Sequence, residues 1–128
     1  MVDDASYQRG VELLKQMVGE DRLGTARAAF AEVSPDFERY VVGFLAGELW
    51  QRPGLDLKTR SLVTIAAVTA LGRTRATRLN IEIALRNGAT KQEIIEVLLH
   101  MAGYAGFPAC WDALGIAKEV FESRQGSV

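Results

Sequence analysis

Glu48 and Arg60 stand on either side of a Pro53-Gly54 turn and are the side chains whose types best suit chemistry on a small acid. A carboxyl group can move a proton, and a guanidinium can hold a carboxylate or an oxyanion through two parallel hydrogen bonds. Arg60 lies near the N-terminus of an apolar helix, where the helix dipole disfavours a cation and burial demands an anion. Glu48 is the internal candidate for that anion, and a substrate carboxylate is the external one. His100 is the only histidine, and Glu96 four residues earlier could orient its imidazole and keep it near physiological pKa. The same stripe also holds Glu93 and Tyr104, so a plain surface pair is the competing reading. Asn80 is a lone amide on a face otherwise made of Ala76, Ile83 and Ala84, and a buried amide needs partners. It either caps nearby backbone or takes a place in a pocket. Cys110 is the single cysteine, which excludes an intrachain disulfide, a Cys-x-x-Cys pair and a thiolate zinc site. A di-iron bundle would need two Glu-x-x-His elements, and the sequence has none, so no metal is expected.

The elements that must position these groups all have helical spacing. Tyr7, Val11, Leu14 and Val18 form an amphipathic stripe, predicting a first helix over 7–18. An Ala-rich helix over 23–33 follows. Ser34-Pro35 then reads as an N-cap with proline at the first helical position, opening a third helix to about Trp50. Gly43 and Gly47 lie one turn apart in it and mark a close approach of another helix. Asp56 caps the next helix, 57–71, which is apolar nearly all round and so is expected to be the buried centre of the core, too short to span a bilayer. A fifth helix runs over 74–87 with Gly88 as its C-terminal cap, and its Arg75, Arg78, Glu82 and Arg86 share a solvated face. Thr90 and Glu93 form a capping box that starts a sixth helix to about Tyr104. A last helix runs over 108–121, before a polar, frayed tail over 122–128.

The chain has 128 residues, 48% hydrophobic and 24% charged, with a formal net charge of −1, which bounds it to one ordinary globular domain without the basic footprint of a nucleic-acid or membrane-surface binder. The start, MVDDASYQRG, lacks the basic and apolar runs of a signal peptide, so a cytoplasmic setting is expected. An all-round apolar helix beside several amphipathic ones leaves more apolar face than one subunit covers. A homo-oligomer is therefore expected.

Two segments, GELWQRPGLDLKTRSLVTIAAVTALGR at 47–73 and NGATKQEIIEVLLHMAGYAGFPA at 87–109, resemble the carboxymuconolactone decarboxylase family, which also includes alkyl hydroperoxidase D-like proteins. The matching positions are Glu48, Trp50, Arg52, Pro53, Gly54, Leu55, Asp56, Arg60 and Ser61, then Gly88, Glu93, Glu96, Tyr104, Gly106 and Pro108. The resemblance implies an all-α fold: residues 1–128 as a single domain, a bundle of about six to seven helices, assembled as a homotrimer or homohexamer. It also implies a cofactor-free decarboxylase acting on a small lactone-bearing acid. Glu48, Arg60, His100 and Asn80 are then the candidate catalytic residues, and Trp50, Arg60, Ser61 and Tyr104 the candidate substrate contacts. Family members usually carry histidine where this chain has Asn80, and asparagine cannot exchange a proton near neutral pH. That departure keeps two alternatives in view: an isomerase, cyclase or hydratase-like enzyme, or a non-catalytic ligand-binding homologue. In the redox branch a Cys-x-x-Cys pair would fall at Arg73 and Ala76, which excludes thiol peroxidase chemistry.

Overall fold

The computed structural model describes residues 2–126, and the regular structure of the described residues is helical, without strands. The helices are α1 (Asp4–Val18), α2 (Glu20–Val33), α3 (Pro35–Arg39), a π-helical segment (Tyr40–Leu49), α4 (Leu57–Ala70), α5 (Thr74–Arg86), α6 (Lys91–Ala105) and α7 (Phe107–Gly126). By contact the chain divides into two compact units, one ending at Leu55 and the other starting at Asp56. No helix among the described residues is long and apolar enough to cross a membrane.

In the first unit α1 begins earlier than the expected Tyr7, because Asp3 and Ser6 build a reciprocal capping box. The Ser6 N–H donates to the Asp3 carboxylate at 2.8 Å, and the Asp3 N–H donates to Ser6 Oγ at 2.9 Å. Ser34 caps α3 as read, accepting from the Phe37 N–H at 3.1 Å, and Phe30 meets Phe37 edge-on at 5.1 Å to close the corner between α2 and α3. The third helix then changes pitch. Its backbone bonds lengthen to a five-residue reach, and the Trp50 N–H closes the run on Leu45 O at 2.9 Å.

The expected close approach is real. A Cβ on Gly47 would lie 2.0 Å from Ser6 O, and one on Gly10 would lie 1.8 Å from Val42 O. The backbones of α1 and the π-helical segment therefore touch with no side chain between them. Val11, Leu23 and Val42 form the small buried core beside this contact. Tyr7, Arg27 and Glu38 tie α1, α2 and α3 together: the Tyr7 hydroxyl and Arg27 Nε (3.1 Å) both donate to the Glu38 carboxylate, and Arg27 also reaches the Tyr7 oxygen. Burial, helped by the Glu38 carboxylate, holds the Tyr7 phenol above its ordinary value.

The second unit packs by side chains. Ile65 of α4, Ile81 and Ala84 of α5, Ile94 and Leu98 of α6, and Ala113, Ala117 and Val120 of α7 form one core, each large aliphatic residue contributing about 1.5–3 kcal/mol by burial. One expectation is corrected here. α4 is central, but it is not buried all round: only Ser61, Ile65 and Thr69 are buried, while Val63 and Ala67 face out. Those exposed residues made the helix read as uniformly buried because hydropathy counts composition and not direction. Asp56 caps α4 through the Thr59 N–H at 2.7 Å. Between α5 and α6, Gly88 takes a φ of 96°, letting the Ala89 N–H return to Ala84 O at 2.9 Å. The Thr90–Glu93 box follows as expected, and the Glu93 carboxylate also accepts from Lys58 at 3.0 Å.

Candidate functional site

The contact of α1 with the π-helical segment leaves an open groove of about 610 Å³ on the first unit, lined by Arg9, Phe44, Gly47, Glu48, Leu49, Gln51 and Arg52. This is a size that holds a small ligand. Glu48 is half-buried at the end of the π-helical run, and Arg9 and Arg52 are exposed. The groove thus combines one carboxyl group, two guanidiniums and an apolar wall of Phe44 and Leu49. Such a set can hold an anion and exchange a proton with it.

Sequence reasoning placed Glu48 among the catalytic candidates but did not find Arg9 or Gln51. No local signal pointed to Arg9: it comes beside Gly47 and Glu48 because its neighbour Gly10 packs on the backbone of the π-helical segment. Trp50 is half-buried in the turn that leaves the π-helical run.

The remaining candidates belong to the second unit. Arg60 is half-buried, with Nε sealed from solvent, and its backbone carbonyl accepts from Thr64 Oγ1 at 2.8 Å. Ser61 is fully buried; its hydroxyl donates to Leu57 O at 2.8 Å and accepts from Asn87 Nδ2 at 2.9 Å, so its hydrogen bonds join α4 to the end of α5. Asn80 donates from Nδ2 to Ala76 O at 2.9 Å, the backbone use of the amide. His100 is exposed and its ring lies tilted against Tyr104, 5.0 Å between centroids, with Tyr104 itself 79% exposed. These two form an open aromatic stripe on α6. Arg78, on the solvated face of α5, pairs with Glu119 of α7. Cys110 is buried, which keeps its thiol from solvent.

Among the described residues no group of three or more His, Cys, Asp or Glu side chains is placed to hold a metal ion.

Residues 35–119 match the carboxymuconolactone decarboxylase family. A 4-carboxymuconolactone decarboxylase of Acinetobacter baylyi is 39% identical over 122 residues, covering 95% of this chain and 91% of that protein. The nitrosuccinic acid decarboxylase of Metarhizium robertsii is 29% identical over 113 residues, covering 88% of this chain and 79% of its own length. An uncharacterized 15.0 kDa protein of Paracoccus denitrificans is 43% identical over 77 residues, 59% of this chain and 58% of that one. The family match takes in Glu48, Gln51 and Arg52, whereas Arg9 precedes it.

Proposed function

We infer, from the premise that this chain belongs to the carboxymuconolactone decarboxylase family, that it is a decarboxylase of a small acid whose leaving carboxylate sits beside an electron-accepting group. The names of two relatives share that chemistry: a lactone in one substrate and a nitro group in the other can each take up the electron pair left when the carbon–carbon bond to carbon dioxide breaks. The enzyme's task is then to hold the negative charge as it moves onto oxygen and to return a proton to carbon. Glu48 carries this reading, because it is half-buried in the same groove as two arginines. Arg9 and Arg52 hold the carboxylate that stays and the developing oxyanion. A proton passes from water through the Glu48 carboxyl group to the carbanion carbon.

The test is release of carbon dioxide from carboxymuconolactone by the purified protein. Turnover is expected, and Glu48→Gln should lower it by about a hundredfold or more while substrate still binds. Absence of turnover by the unaltered protein would overturn the reading. Arg60 is proposed as a further anion holder: Arg60→Lys keeps the charge but loses the planar fork, so turnover should fall while circular dichroism stays helical. Unfolding instead would make Arg60 a structural residue.

The Asn80 amide donating to its own helix favours a second reading, a family member with isomerase, cyclase or hydratase-like chemistry or one that only binds. Asn80→His separates the two. A gain in decarboxylation with a new pH dependence between about 5 and 8 supports the decarboxylase reading.

A cytoplasmic homotrimer or homohexamer is also proposed, supported by apolar groups left open in each unit, among them Phe44 at 48% and Trp111 at 74% exposure. Light scattering that gives a single 14.0 kDa species would overturn it.

A further inference from the structure

Gln51 lies in the turn that leaves the π-helical run, directly before Arg52, and its side-chain amide makes two bonds that span the groove wall. Nε2 donates to Ala46 O at 3.0 Å and to Arg9 O at 3.4 Å. The first bond follows from the change of pitch. The Trp50 N–H closes on Leu45 O, and the next carbonyl, Ala46 O, takes the Gln51 side chain as its donor. The second bond reaches α1 at the residue whose guanidinium lines the groove. One amide therefore fastens the turn that carries Arg52 both to the end of the helix that carries Glu48 and to the backbone of Arg9.

We propose that Gln51 is a positioning residue that sets the spacing of the two groove cations, Arg9 and Arg52, and so selects substrates with two anionic groups over those with one. The inference rests on the groove being the substrate site. Gln51 touches no reacting atom; it acts through Arg52, whose turn keeps the bond of the Arg52 N–H to Leu49 O at 3.3 Å but loses its ties to Ala46 and Arg9 once the amide is gone. Both of its partners are carbonyls, so what the position requires is a donor of this reach.

The test is a double-variant cycle on the full-length protein, read by calorimetric titration with propane-1,2,3-tricarboxylate, a probe that needs no turnover, and with butyrate as the single-anion control. Gln51→Met keeps length and removes the donor; it should weaken tricarboxylate binding by about tenfold and leave butyrate binding unchanged. In an Arg52→Ala background the same change should add less than about twofold, because the cation it positions is already absent. Gln51→Lys restores a donor and should bind the tricarboxylate about tenfold more tightly than Gln51→Met, whereas an equal gain for butyrate would trace the effect to the added charge and overturn the proposal. Equal tricarboxylate affinity of Gln51→Met and the unaltered protein, even with a lowered melting temperature, would reduce Gln51 to a structural role and overturn the proposal. Additive losses in the two backgrounds, or no binding by the unaltered protein, would overturn it as well. Failure of the carbon dioxide assay alone would remove the decarboxylase reading and leave this cycle standing.

Discussion

The two units pack their helices by opposite means. In the first, α1 and the π-helical segment meet backbone to backbone, and the residues that allow it are ones with no side chain, Gly10 and Gly47. In the second, α4 to α7 are spaced by Ile65, Ile81, Ile94 and Leu98, and the helical glycines Gly103 and Gly115 face open space. Glycine in a helix thus means two different things in one chain. At Gly10 and Gly47 it is a contact surface that fixes the groove wall, and at Gly24, Gly103 and Gly115 it is a weak point with nothing packed on it.

The sharpest break of that comparison is Gly10→Ala. Helix propensity alone would have alanine stabilise by about 1 kcal/mol. A Cβ placed 1.8 Å from Val42 O must instead push the helices apart, so a loss above about 4 kcal/mol is expected in urea unfolding, together with loss of the groove. A stabilised Gly10→Ala would refute the backbone contact. Next comes Ile65→Ala, at the centre of the side-chain core, with an expected loss of about 3 kcal/mol from transfer and cavity terms. Its signature differs: the core loosens, but no backbone has to move.

A pH scan makes a third comparison. The Ser6 N–H holds the Asp3 carboxyl below the ordinary carboxylate range, Thr59 does the same for Asp56, and the Thr90 N–H with Lys58 does so for Glu93. These groups lose protons more readily folded than unfolded, so their stabilisation is complete above the ordinary carboxylate pKa near 4 and is lost as pH falls through their lower folded values. The melting temperature should be flat from about pH 7 to 5 and decline below about 4. Glu93→Gln should flatten that decline, and an unchanged slope would remove the Thr90–Lys58 hold from the account. The smallest effect is Gly115→Ala on α7, where open space leaves only propensity, and a gain of about 0.5–1 kcal/mol is expected. A loss there would mean that the second unit also hides a backbone contact.

What could be read from sequence follows the same division. Caps are local, so Ser34-Pro35, Asp56 and the Thr90–Glu93 box were all legible, each needing only a side chain and an N–H three residues on. Of the Gly43–Gly47 pair, Gly47 does mark the close approach of α1, while a Cβ on Gly43 would meet the Val2 side chain, and Gly10 was hidden, since nothing local distinguishes a glycine that is touched from one that is not. The π-helical pitch of Tyr40–Leu49 was illegible because Val41, Val42, Phe44, Leu45 and Ala46 are apolar on every side and give no phase to follow. That missing phase cost the site as well. Glu48 could be named from its residue type, but its companions Arg9 and Gln51 depend on which way the π turn and α1 face.

The π-helical run also makes this stretch of the chain sensitive to its length more than to its letters. A π segment holds extra residues within its turns, and it persists only while they are present. Deleting one residue between Tyr40 and Ala46 would let the run rewind as an ordinary α-helix, whose tighter turns of about 3.6 residues would face the side chains of the run in new directions. Glu48 would leave the groove, and Gly47 would no longer meet Ser6. Substitutions among the apolar residues of this segment can be absorbed by repacking, but an insertion or deletion cannot, so chains that keep the groove should differ here in spelling and agree in residue count.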